Sequence, residues 1–89
     1  MSDVTIYTKP TCPYCIAAKT LLRRKGVPFR EISVEGDARG AAALAQRTGR
    51  RTVPQIFIGD LHVGGFDDLH ALDMEGRLDD LLEQDAALS

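Results

Sequence analysis

The chain has 89 residues, 44% of them hydrophobic, which is enough for one domain, spanning 1–89, with a modest core. A formal net charge of −2 argues against a nucleic-acid binder, and two cysteines are too few for a disulfide scaffold. Ten of the eleven Lys and Arg residues precede Thr52 while nine of the thirteen acidic residues follow it, so a cationic rim can form on one side, although most of these charges read as solvated helix faces.

Met1-Ser2-Asp3-Val4 lacks the basic and apolar regions of a secretory leader, and no apolar run approaches the roughly 20 residues that span a bilayer. A cytoplasmic location and no membrane partner are therefore expected. In that compartment a close cysteine pair is catalytic or metal-binding rather than structural.

Val4-Thr5-Ile6-Tyr7 is a β-branched and aromatic run and predicts a first strand, with Tyr7 packing in it. A loop, Thr8 to Thr11, follows, with Thr11 expected as helix N-cap and Pro13 in the first turn. The helix extends to about Lys25 with Ile16, Ala17, Leu21 and Leu22 as its apolar stripe, and Gly26 ends it. Phe29 to Ser33 alternates apolar with polar residues and predicts a second strand. Asp37 caps a second helix that buries Ala41, Ala42, Leu44 and Ala45 and stops at Gly49. Gln55 to Ile58 is a third strand, Gly59-Asp60 a two-residue turn, and Leu61 to Val63 a fourth strand with His62 as a hairpin residue. Gly64-Gly65 breaks it. A helix from Phe66 follows, with Leu69, Leu72 and Met74 as core contacts and His70 on its surface. A last short helix spans about Leu78 to Gln84. The order β-α-β-α-β-β-α predicts an α/β fold with a mixed four-stranded sheet, order 2-1-3-4, the first two strands joined by a right-handed crossover.

The two cysteines, Cys12 and Cys15, follow the first strand and open the first helix. A thiol attacks only as thiolate, and a helix N-terminus offers partial positive charge and free N–H groups to an anion. Cys12 sits where that effect is largest, with Lys9 adding a cation. Cys15, one turn further in, is placed to close a disulfide with Cys12. One sulfur to attack and one to resolve is the minimal equipment for thiol–disulfide exchange.

Lys9-Pro10-Thr11-Cys12-Pro13-Tyr14-Cys15, then Thr52-Val53-Pro54-Gln55-Ile56-Phe57-Ile58, then Gly64-Gly65-Phe66-Asp67-Asp68 together resemble a dithiol glutaredoxin of the bacterial glutaredoxin 3 type. The resemblance runs from Val4 to about Leu82. It implies a thioredoxin-like fold, a cis Val53–Pro54 bond and a glutathione-disulfide oxidoreductase. Such an enzyme is a monomer that acts on glutathione mixed disulfides and on disulfides of proteins and small molecules. It has no tightly bound cofactor. Glutathione is its co-substrate, regenerated by glutathione reductase and NADPH. By the same resemblance Lys9 meets the glycine-end carboxylate, together with one of Arg47, Arg50 or Arg51. Val53, just before the cis bond to Pro54, offers its N–H and C=O to the cysteinyl part, with Thr52 adjacent in the same loop, and Tyr14 lines the groove. Gly65, Phe66, Asp67 and Asp68 receive the γ-glutamyl end. Phe66 departs from the small residue or cysteine that relatives often carry.

Three competing readings have less support. Zinc would need a second half-site, and His62 and His70 are eight apart, outside the usual three-to-five spacing. A [2Fe–2S] cluster bridging two subunits is disfavoured by the proline after Cys12. A thioredoxin-like reductant that dispenses with glutathione does not account for Lys9, Val53 and Asp67 together.

Overall fold

A computed structural model describes residues 3–88, with side chains described as far as Glu83. The elements are β1 (Val4–Thr8), α1 (Pro13–Arg24), β2 (Arg30–Ser33), α2 (Ala38–Thr48), β3 (Gln55–Ile58), β4 (Leu61–Gly64), α3 (Phe66–Met74) and α4 (Leu78–Leu88). The sheet has the order β2-β1-β3-β4. β1 runs parallel to β2 and antiparallel to β3, and β3 runs antiparallel to β4 with an irregularity between Ile56 and Phe57. The predicted order of elements and strands is the observed one.

Alternation along the strands divides the core. Val4, Ile6, Ile56 and Ile58 face α1 and α3 and pack with Ala18, Leu22, Leu69, Leu78 and Leu82. Phe57, with Tyr7 and Val53, faces α2 and packs with Val34 and Leu44. β3, with neighbours on both sides, is buried at every residue. Full burial of a side chain such as Leu69 contributes about 1.5–3 kcal/mol. Lys25, at the end of α1, ties the helical layer together by ion pairs to Asp73 (2.6 Å) and Asp79 (3.3 Å).

Several local expectations are corrected. The cap of α1 is Cys12, not Thr11, because the Cys12 sulfur takes the free Cys15 N–H. The buried side of α1 is Cys15, Ala18 and Leu22, whereas Ile16 is 56% exposed. Ile16 lies two positions before Ala18, on the opposite side of the helix, and so faces outward when Ala18 faces the core. In α2 only Leu44 is fully buried, and Ala42 is exposed. Met74 is 73% exposed, since it ends α3 beyond the last turn held by Leu69 and Leu72. β2 starts at Arg30 and not at Phe29, β1 and β4 each gain one residue, and α4 continues to Leu88.

Candidate active site

Cys12 ends the loop after β1 and caps α1 with extended backbone (φ −94°, ψ 112°). Its N–H donates to the Lys9 carbonyl at 3.3 Å, closing the loop. The Cys15 N–H donates to Cys12 Sγ at 3.2 Å, so the sulfur occupies the place that a serine or aspartate oxygen takes in an ordinary N-cap. A sulfur held there meets the positive end of the helix. Pro13 at the first helical position lacks an N–H and leaves the Cys15 donor to the sulfur. Both cysteines are free thiols, and Cys12 is the more accessible of the two. Cys15 is 1% exposed. Burial first, then its contact with Cys12, pushes the Cys15 thiol up to about 11. One sulfur is therefore open at a helix terminus, and its partner is enclosed and keeps its proton.

A second loop closes over the first. The Cys12 thiol donates to the Val53 carbonyl at 3.5 Å, and the Val53–Pro54 bond is cis. The third loop meets the second: a Cβ on Gly65 would stand 3.5 Å from the Pro54 carbonyl oxygen. Residues 12, 53–54 and 65 thus converge on one spot although they lie far apart in the chain.

Residues 4–63 match the family model described as Glutaredoxin. Over 82 residues the chain is 58% identical to a glutaredoxin of Pseudomonas aeruginosa, covering 92% of this chain and 98% of that protein. The chain belongs to the glutaredoxin family. It is similar to glutaredoxin 3 of Escherichia coli, with 55% identity over 83 residues, 93% of this chain and all of that protein. The crystal structure of a buckwheat glutaredoxin–glutathione complex is similar with a TM-score of 0.86 at 34% identity, covering 93% of this chain and 78% of that one. The protein is thus a dithiol glutaredoxin of the bacterial glutaredoxin 3 type, a thiol–disulfide oxidoreductase with the thioredoxin-like fold.

The remaining residues singled out in the sequence of this glutaredoxin fall into separate groups. Lys9, Arg50, Arg51, Thr52 and Val53 line a cleft of about 310 Å³ that α2 closes from one side. The three arginines separate here. Arg47 lies over the Phe57 ring at 4.6 Å and donates to the Tyr7 hydroxyl, and Arg50 pairs with Asp68 at 2.8 Å. Arg51 and Lys9 are exposed cations without a side-chain partner among the described residues.

At the other end, Gly65 caps α3, and Asp68 accepts its N–H at 2.9 Å. The Arg50 guanidinium and that N–H hold the Asp68 carboxyl below the usual carboxylate range. Asp67 is exposed in the same first turn and has no partner among the described residues. Tyr14 and Phe66 stand with ring centroids 6.2 Å apart, and Phe66 stacks on His70 at 5.6 Å. A larger groove of about 630 Å³ runs between α1 and α3, and neither cysteine lines either cavity.

Sequence reasoning missed Gln55 and His62. Gln55 is enclosed directly behind Thr52, and His62 Nε2 lies 2.7 Å from its Oε1. Burial and the Arg50 guanidinium hold His62 below its ordinary range. The available signal was a lone polar residue in an otherwise apolar central strand, which demands a partner. Among the described residues no three His, Cys, Asp or Glu side chains gather as metal ligands, and no helix is long and apolar enough to cross a membrane.

Proposed function

We propose that this glutaredoxin reduces glutathione mixed disulfides, and disulfides of proteins and small molecules, with Cys12 as nucleophile, Cys15 as resolving thiol and glutathione as co-substrate. The observation that carries the reading is Cys12 Sγ at the α1 terminus, 3.2 Å from the Cys15 N–H and 3.5 Å from the Val53 carbonyl. A nucleophile needs stabilisation as an anion and a substrate backbone held alongside it, and those two contacts supply one each.

In the first step Cys12 attacks the glutathionyl sulfur of a mixed disulfide. A Cys12–glutathione bond forms, the substrate S–S bond breaks, and the client leaves as thiolate and takes up a proton. A second glutathione thiolate then attacks that glutathionyl sulfur, yielding oxidised glutathione and free Cys12. With a protein disulfide, Cys12 bonds to the client and Cys15 attacks Cys12, releasing the second client thiol and leaving a Cys12–Cys15 disulfide. Two glutathiones reduce that disulfide, and glutathione reductase with NADPH restores them. The raised Cys15 thiol fits this division, because a group that holds its proton does not compete for the first attack.

The glycine end of the tripeptide would enter the 310 Å³ cleft, and the rest would extend past Cys12 toward the α3 terminus. Lys9 and the unpaired Arg51 suit its glycine carboxylate, and the Val53 N–H and C=O, in the Thr52-Val53-Pro54 loop, its cysteinyl backbone. Gly65, Phe66 and Asp67 suit its γ-glutamyl end, where α3 N–H groups meet a carboxylate and Asp67 the ammonium. Asp68 would act by holding that loop, since its carboxylate is engaged by Gly65 and Arg50. Tyr14 and Phe66 would flank the substrate. Residues 1–89 would work as one monomeric glutaredoxin domain in the cytoplasm.

The test is NADPH consumption with glutathione, glutathione reductase and a small glutathione mixed disulfide. Turnover is expected from the native chain and from Cys15→Ser, and only background from Cys12→Ser. No turnover by the native chain, or equal loss in both variants, would overturn the assignment of roles.

A further inference from the structure

Gln55 is the only polar residue of β3, and its side chain is 0% exposed. A buried amide must be satisfied at both ends. Its Nε2 donates to the Thr52 carbonyl at 2.9 Å and to the Thr52 hydroxyl at 3.3 Å. The reverse orientation would set two acceptors against each other, so the amide oxygen must face β4. There it meets His62 Nε2 at 2.7 Å. An amide oxygen only accepts, which assigns the proton of His62 to Nε2. His62 pairs across the hairpin with Phe57 and rests on its ring at 5.1 Å, and Gln55 is the next residue on that face of β3. The ring is thus fixed by packing before it donates.

The effect passes to the next peptide unit. The Thr52–Val53 bond is planar and trans, so its C=O and N–H point in opposite directions. Because Gln55 draws the Thr52 carbonyl toward itself, the Val53 N–H is turned away from it. That N–H has no partner among the described residues. The Val53 carbonyl meanwhile faces Cys12 Sγ.

We propose that Gln55 and His62 are positioning residues: together they set the direction of the Val53 N–H, and so the register in which a γ-linked tripeptide pairs beside Cys12. The inference rests on the reading of Thr52–Pro54 as the segment that pairs with glutathione. Neither side chain touches the sulfurs in any recorded contact. They act through the backbone, so their loss should appear in substrate binding and not in the chemistry.

Gln55→Met keeps the volume and removes the amide. His62→Phe keeps a ring on Phe57 and removes the donor, and it serves if the first variant folds poorly. Both are assayed against a glutathione mixed disulfide and, by stopped flow, against bis(2-hydroxyethyl) disulfide, which carries no tripeptide. The expected result is a KM about fivefold higher for the glutathione substrate, the effect of one weakened backbone hydrogen bond, with kcat and the hydroxyethyl reaction unchanged. Residual dipolar couplings of the Val53 N–H in the free protein should also change in both variants. An unchanged KM together with unchanged couplings overturns the proposal. If the native enzyme shows no preference for the tripeptide while the couplings still shift, the glutathione reading falls and the positioning of Val53 by Gln55 and His62 stands.

Discussion

Replacing Cys15 with alanine removes a titration as well as a sulfur. The Cys15 thiol ordinarily titrates near 9.0, and burial, then the contact with Cys12, raises it to about 11 in the fold. Between those values the unfolded chain has released a proton that the folded chain still holds. Fewer protons are then bound by the unfolded state, so stability falls as pH rises. The contribution is complete below pH 9 and gone once the pH has passed about 11. A shift of that size corresponds to roughly 2–3 kcal/mol. The side chain is almost wholly enclosed, so solvent screening removes little of this. Urea unfolding of the reduced protein, followed by circular dichroism from pH 8 to 12, measures the term. The difference in unfolding free energy between native and Cys15→Ala should shrink by about 2–3 kcal/mol across that range. The packing lost with the sulfur is independent of pH and shifts the difference without tilting it. Parallel curves would show that Cys15 titrates alike in both states, and the account of an enclosed, protonated resolving thiol would fail.

Three further outcomes are expected. Leu69→Ala, which opens a cavity where α3 meets the sheet, should lower the unfolding free energy by about 2–5 kcal/mol in urea. Gly64 has φ +117°, and a Cβ there would collide with the Asp68 carboxylate that secures Gly65. Gly64→Ala should therefore cost about 1–3 kcal/mol and raise KM for glutathione substrates, whereas an unchanged melting temperature would contradict the crowding. Asp67→Asn should lower the thermal midpoint only slightly, since the side chain has no partner among the described residues and only the helix-dipole contribution is lost, and weaken the affinity for glutathione by about three- to tenfold in calorimetry.

Much of the fold is legible in the sequence because its signals are local. Gly26, Gly49 and Gly76, all with positive φ, stand where helices end, and Asp37 caps α2 through Gly40. The Gly59-Asp60 turn fixes the β3–β4 pairing. The cysteine pair at the start of α1 is legible for the same reason: its spacing behind a strand is read directly from the chain. The rest depends on what the chain meets in space. Whether the face with Ile16 or the one with Ala18 meets the core is decided by how α1 is turned against the sheet, and α1 carries apolar residues on both. Arg47, Arg50 and Arg51 look equivalent in sequence. Only the tertiary neighbours Phe57 and Asp68 occupy the first two and leave the third open. The bond from His62 to Gln55 crosses a hairpin: the lone polar Gln55 in an apolar strand signals that a partner is needed, but not which one.

The two outer strands of the sheet have one more consequence. β2 exposes Arg30, Glu31 and Ser33, and Glu31 is bound by Lys19 and Thr8. β4, on the opposite border, is four residues long and its pairing with β3 is irregular. A charged margin on one side and a short, distorted one on the other give a foreign strand little to extend. The domain can therefore present an open backbone segment beside its sulfur without inviting other chains to polymerise along its flanks.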